Sequence, residues 1–346
     1  MTLIHTPSPT LLACACRSVP ARKRARRSVM AVSLVAGLFA TLPLAASAQE
    51  VTLRAINAFQ EGTYFARQFE TFVKKVNDEG KGMVQINYIG GPKAIPTMEQ
   101  VSALRTGVVD LANTTAAYSA SLVPEALALN YATRPFSEIR ANGGLDYLNK
   151  LMIEKGLFYL AKTGDNIQYH IYTNKKIDKP DLSGQKLRIA PIFRDFFTQL
   201  GATVMQTAPG EVYTALERGV VDGYGWPAIG IFDFSWQEKT KYRIDPGFYM
   251  LELGIQFNAK KWQSLTTGQR AFLEKQALWI EKEAASASIR DAAADLKKQV
   301  DGGIEVIKFS DADAARYLKV SQDAGWSTIL KASPTHGPKL QELMTR

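Results

Sequence analysis

One phrase occurs twice in this 346-residue chain. Leu104-Arg105-Thr106-Gly107-Val108-Val109-Asp110 returns 112 residues later as Leu216-Glu217-Arg218-Gly219-Val220-Val221-Asp222. Upstream, Glu99 and Ala103 are matched by Glu211 and Ala215. Each copy reads as a helix, a glycine stop and a short apolar strand ending on aspartate. Such a unit constrains the chain to α/β architecture. Two copies point to two similar lobes aiming strand ends at a shared cleft, with chance likeness between ordinary helix-to-strand turns as the rival account.

The second copy closes the stretch Leu182–Pro227. Leu187 and Ile189 alternate with Arg188, which turns the guanidinium away from two apolar side chains. Phe193, Phe196, Phe197 and Leu200 follow at helical spacing, with Gly201 as the stop, and a further helix runs from Pro209 to Arg218. Val220 to Asp222 reads as a strand and Gly223-Tyr224-Gly225-Trp226-Pro227 as an irregular loop. Ligands in α/β units sit beyond the carboxyl ends of strands, so Arg188 and the Tyr224–Trp226 loop are expected to share one crevice.

Elsewhere, Val51 to Ile56 and Met83 to Ile89 read as strands flanking a helix from Thr63 to Asn77, whose Phe65, Phe69, Phe72 and Val76 form a core stripe. Leu251 to Phe257 reads as a strand of the first lobe, entered by a crossing near Leu253; the outward crossing falls between Asp165 and Thr173. Thr266 to Val300 is a proline-free helical run, and Ile304 to Phe309 is a last strand before a helix capped by Ser310.

Residues 1–48 have the three parts of a secretion leader: the basic block Arg22 to Arg27, the apolar run Val29 to Leu44, and Ala46-Ser47-Ala48. Ser33, Gly37, Thr41 and Pro43 interrupt the apolar run, which favours cleavage over a membrane anchor. The leader holds six basic and no acidic residues, so its removal reduces the net charge of +9 to +3 and weakens the case for a nucleic-acid partner. Cys14 and Cys16 leave with it, so no disulfide is expected in the 298 remaining residues. Enzyme chemistry finds little footing: only His170 and His336 remain, without nucleophile-elbow, zincin, Walker or dinucleotide motifs.

Leu182-Ser183-Gly184-Gln185-Lys186-Leu187-Arg188, then Glu211-Val212-Tyr213, Leu216 and Gly219-Val220-Val221-Asp222-Gly223, resemble the dicarboxylate-binding-protein (DctP) type of substrate-binding protein from tripartite ATP-independent periplasmic (TRAP) transporters. Weaker similarity runs along nearly the whole chain after the leader. The resemblance implies a two-lobed α/β periplasmic binding fold, type II-like, with hinge crossings and a long bracing helix. The expected organisation is a leader over 1–48, a first lobe from 49–166 plus 253–291, and a second from 167–252 plus 292–346.

The resemblance also implies that Arg188 clamps a ligand carboxylate, a role suited to a planar guanidinium that keeps its charge when buried. Sugar-acid binders of this family have Asn in place of Trp226 and a second arginine near Tyr169. A 2-oxo-acid subgroup places a metal-binding carboxylate where this chain has Gly225, so no metal and no cofactor are expected. The expected ligand site is Arg188, Trp226, Tyr169, Tyr224, Phe59 and Phe193, with Thr115 and Tyr118 from the other lobe. For Phe193 core packing is the favoured fate. The implied ligand is a monocarboxylate with an apolar or aromatic body, such as a 2-oxo or 2-hydroxy acid. A C4-dicarboxylate is the rival and requires a second cation from Arg54, Arg67, Arg134 or Arg194. A secreted α/β enzyme acting on a small carboxylic acid is the alternative class. Expected partners are the organic acid and the TRAP membrane subunits, with no nucleic acid, and the protein is expected to be a periplasmic monomer. N-terminal sequencing of a periplasmic extract is expected to read from near Gln49; a chain retained in the membrane pellet with residues 1–48 intact contradicts this.

Overall fold

A computed structural model describes residues 49–346; the expected leader lies outside the described residues. Two sheets organise the chain. The first holds β1 (Val51–Asn57), β2 (Val84–Tyr88), β3 (Leu111–Thr114), β4 (Leu157–Lys162) and the late strand β10 (Gly254–Asn258), in the order β2-β1-β3-β10-β4. The second holds β5 (Tyr169–Thr173), β6 (Lys186–Ile189), β7 (Thr203–Gln206), β8 (Gly223–Pro227), β9 (Tyr242–Asp245) and β11 (Glu305–Lys308), in the order β11-β9-β5-β8-β6-β7. In each, three parallel strands (β2-β1-β3 and β7-β6-β8) meet an antiparallel strand from across the hinge, β10 or β5.

The repeated phrase builds the same joint in both sheets. Helices α1 (Tyr64–Glu79) and α2 (Gln100–Thr106) serve the first sheet. Three short pieces follow the brief helix α3 (Ala116–Ser119), namely α4 (Ala128–Tyr131), α5 (Phe136–Ala141) and α6 (Gly144–Glu154). Helices α7 (Arg194–Gln199) and α8 (Val212–Glu217) serve the second sheet. After α2 and α8, Gly107 (φ 81°) and Gly219 (φ 66°) turn left-handed, where a side chain would be strained. The next N–H groups, of Val108 and Val220, each donate back to an alanine carbonyl at 2.9 Å. The aspartates then start the ladders. Asp110 N–H donates to Arg54 O at 2.8 Å while its carboxylate accepts Arg54 N–H at 2.8 Å; Asp222 does the same with Lys186 at 2.6 and 2.9 Å.

These bonds correct the sequence reading by a few residues. Val220-Val221-Asp222 is the joint, with Val220 46% exposed, and not a strand. The strand is Gly223–Pro227, expected to be a loop and instead buried at every position. Its glycines are required by the sheet. A Cβ on Gly223 would lie 2.1 Å from Tyr172 O, and one on Gly225 would lie 2.7 Å from the Phe193 ring. Similarly, the expected strand from Leu251 joins the sheet only at Gly254.

The lobes are linked by chain crossings that run side by side. Thr163 N–H donates to Leu253 O at 2.6 Å, Leu251 N–H to Ile167 O at 2.7 Å, and Gln168 bridges Met250. After α9 (Ala259–Ser264), helix α10 (Thr267–Asp301) runs 35 residues, about 52 Å, from a Thr266–Gln269 capping box. It grips both sheets. Gln276 and Glu281 bond Glu79, Arg140 and the Lys162 N–H of the first lobe, whereas Asp295 and Gln299 bond Gly230, Ala228 and Arg243 of the second. Phe69 and Phe72 of α1 pack with Leu273 and Ile280 of α10 over one face of the first sheet, each ring contributing about 2–3 kcal/mol. Helix α11 (Asp311–Ala332), capped by Ser310 as expected, packs on α7, and α12 (Gly337–Met344) packs on α4 and α6.

His170 is part of this framework. Its Nδ1 lies 3.0 Å from both Ile244 O and Asp245 Oδ1, and Arg243 donates to the same carboxylate at 3.1 and 3.2 Å. Burial works against ionisation of Asp245, but the His170 and Arg243 bonds prevail and hold its pKa down to about 2. A depressed carboxylate stabilises the fold above its unfolded pKa of about 3.9, and that contribution is lost as pH falls through the folded value. Asp245→Asn is therefore expected to cost about 1–2 kcal/mol at pH 7, after allowance for partial exposure, with the difference from wild type shrinking between about pH 4 and 2. Urea titrations across that range check it; a difference that ignores pH would remove the charge from the account.

Candidate functional site

Arg188 sits in β6 opposite Tyr224 of β8 and has no solvent exposure. Its Nε and Nη2 donate to Thr207 O at 3.1 and 2.6 Å, whereas Nη1 has no hydrogen-bond partner among the described residues. The guanidinium carbon lies 5.6 Å from the centre of the Trp226 indole. Burial lowers the pKa of Arg188, opposed by the nearby Tyr118 and Tyr169 phenols and by Glu211. Arginine stays charged even so. The result is a buried cation, partly solvated by one carbonyl and two phenols, with one edge of its fork free.

Tyr118 arrives from the first lobe. It lies on α3, whose N-cap Thr115 accepts the Ala117 N–H at 3.2 Å. That turn is fixed from the hinge. Glu252, wholly buried, accepts the Ala116 N–H at 2.5 Å and the Thr115 hydroxyl at 3.0 Å on one oxygen, and the Tyr159 hydroxyl at 2.7 Å on the other. Burial pushes its carboxyl pKa up, against these three bonds and Lys162. Sequence reasoning missed Glu252. Its signal was a lone carboxylate between Leu251 and Leu253 at a lobe crossing.

The other expected residues divide. Tyr169 is buried beside the cluster, its phenol pKa driven well up by desolvation and by Glu252 and Tyr118, with its ring edge-on to Phe193 at 4.9 Å. Trp226 lies under Arg188 and takes the edge of Phe65, a first-lobe residue read as core, at 6.0 Å. Phe59 reaches Trp226 only through Phe65, 5.2 Å away. Two of the expected residues pack in the core. Tyr224 belongs to the core: its ring stacks on Tyr172 at 5.1 Å and its hydroxyl meets Thr240 at 2.8 Å. Phe193 also packs in the core, against Phe197, Phe248 and Gly225, because β8 presents Gly225 and Tyr224 to opposite faces. The same Phe193 ring fills the space that a side chain at position 225 would need.

The four arginines considered as second cations are used elsewhere. Arg54 pairs with Asp110, Arg134 with Glu138, Arg67 donates to Gly62 O, and Arg194 reaches Gln206 at 3.4 Å. The remaining histidine, His336, bonds the Tyr147 hydroxyl at 2.8 Å.

The family model described as bacterial extracellular solute-binding protein, family 7 (DctP) matches residues 57–325. Among curated relatives, an uncharacterized protein of Sinorhizobium fredii is 28% identical over 229 residues, which span 64% of this chain and 40% of that protein. A monocarboxylate 2-oxoacid-binding periplasmic protein of Nostoc is 24% identical over 211 residues, 57% of each chain. Among solved structures, a TRAP periplasmic solute binding protein from Desulfovibrio salexigens with bound orotic acid superposes with a TM-score of 0.76 at 20% identity, over 85% of this chain and 97% of that one.

Glu252→Ala leaves three buried donors unsatisfied and is expected to destabilise the protein by about 2–4 kcal/mol, with Glu252→Gln, which keeps an acceptor, costing less. Urea denaturation of both variants measures this; equal and small losses would mean that the carboxylate does not organise the turn.

Proposed function

The chain belongs to the DctP family of bacterial extracellular solute-binding proteins, the substrate-binding proteins of TRAP transporters, and from that premise we propose that it captures a monocarboxylate with an apolar or aromatic body, such as a 2-oxo or 2-hydroxy acid, in the periplasm and presents it to TRAP membrane subunits. The observation that carries this reading is the Arg188 guanidinium, fully buried, close to Trp226 and lacking a partner at Nη1 among the described residues. Thr207 O occupies the Nε side, so Nη1 and the second hydrogen of Nη2 form a fork for two carboxylate oxygens. A carboxylate there neutralises a charge that is otherwise costly to bury. Tyr118 and Tyr169 flank the fork, and the rings of Trp226 and Phe65 offer the ligand body an apolar wall.

A second ligand carboxylate would lie among aromatic rings with Arg54, Arg67, Arg134 and Arg194 engaged elsewhere, which argues against a C4-dicarboxylate. The engaged rings of His170 and His336 likewise lend no support to an enzyme acting on the acid. Binding without turnover follows from this reading.

Arg188→Ala is expected to retain the fold and weaken binding of the acid about 30-fold or more, and Arg188→Lys to restore little, because an ammonium cannot form the fork. Calorimetric titration tests both, after a thermal-shift screen of aliphatic, aromatic, dicarboxylic and sugar acids has ranked the ligands. Wild-type affinity in Arg188→Ala removes the clamp. A larger shift with succinate or a sugar acid than with phenyl-substituted acids removes the proposed ligand class and leaves the clamp standing.

A further inference from the structure

Helix α1 of the first lobe begins without a side-chain cap of its own. The Thr63 hydroxyl donates to Gln60 O at 2.7 Å, and the first turn carries no acidic residue. The cap comes from the opposite lobe. Asp233, on the turn Ile231–Phe234 that follows β8, accepts the Tyr64 N–H on Oδ2 at 2.7 Å. We propose that Asp233 is a positioning residue for solute capture, holding the cleft shut by capping the first-lobe helix from the second lobe.

Two features suit it to that task. The Asp233 turn is rigidly mounted: Gly230 N–H donates to Asp295 at 2.8 Å, Gln299 donates to Ala228 O at 2.8 Å, and Lys298 lies 3.9 Å from the centre of the Phe232 ring. The carboxylate is also adjacent to the binding wall. The residue after the capped Tyr64 is Phe65, whose edge meets Trp226 at 6.0 Å. All three groups converge at Gly230, where a Cβ would lie 3.4 Å from the indole nitrogen, 3.5 Å from Phe65 and 3.8 Å from the Asp233 carboxylate. The anion meets the positive end of a 16-residue helix only while the lobes are together; on opening, those N–H groups return to water. Capping from across the cleft thus couples Phe65 coverage of Trp226 to closure. Substituting an N-cap carboxylate by alanine costs a helix terminus a factor of about 2 to 30 in equilibrium, and here that factor falls on the closed form alone.

The inference rests on the cleft being the solute site, and the test separates the two. The chain from Gln49 onward has no cysteine, so Lys93→Cys in the first lobe and Arg218→Cys in the second, both exposed, accept spin labels selectively. In wild type, Asp233→Ala and Asp233→Asn, the inter-label distance distribution is measured without ligand, and dissociation of phenylpyruvate is followed by stopped-flow fluorescence. Asp233→Ala is expected to shift the ligand-free distribution and to release phenylpyruvate about tenfold faster at an association rate within about twofold of wild type. Asp233→Asn, which keeps a capping oxygen, is expected to recover most of both. A merely structural role would lower the melting temperature and leave distances and dissociation unchanged. Should phenylpyruvate not bind the wild type, the ligand class falls and the distance distributions decide; identical distributions in wild type and Asp233→Ala, or in the binding case an unchanged dissociation rate, overturn the proposal.

Discussion

A guanidinium cannot shed its proton to escape a buried site, so the protein around Arg188 is built to tolerate a permanent charge. Thr207 turns its carbonyl onto one side of the fork, Tyr118 and Tyr169 lie near it, and Trp226 offers its π face. None of these neutralises the charge. Only an anion does so, which is the physical ground for proposing an anionic ligand there. The groups around the arginine come from both lobes, so the electrostatic problem is solved only when the lobes meet.

The two sheets solve a shared construction problem in one way. A left-handed glycine ends the helix, and an aspartate exchanges two hydrogen bonds with the neighbouring parallel strand to start its ladder. With the ladder origin set in this manner, the strands after the two joints begin at corresponding places in both sheets. The same joint explains why Asp110 and Asp222 attract Arg54 and Lys175: they are buried carboxylates whose first duty is to the backbone.

Between the lobes, rigidity and freedom are divided. The crossings at 163–168 and 249–253 are hydrogen-bonded to each other, and Glu252 extends that pairing to the turn that carries Tyr118. Helix α10 binds the first sheet through its first half and the second through its last. Hinge motion in such an arrangement is confined to a few residues, while each lobe moves as a unit.

Periodicity and turn chemistry are local properties, and what depended on them was legible in the residues: the α1 stripe, the proline-free long helix, the paired glycine stops, and the two-lobed α/β class. The repeated phrase revealed both joints, although the strands begin after the aspartates and not on the valines, because those valines are still closing the helix ends. Arg188 and Trp226 were identifiable from alternation and family resemblance. The face on which Tyr224 packs was not legible, since which face of β8 meets the core depends on β5 and β6 packed beside it. Glu252 is marked only by its two leucine neighbours, and Asp233 carries no local signature. One acts across a hinge on a turn 136 residues away, the other across a cleft on a helix 169 residues away. Sequence by itself determined the elements and the charged residue that needs a partner; only the tertiary structure decided what surrounds that charge, because burial and hydrogen-bond partnership are properties of groups brought together from distant parts of the chain.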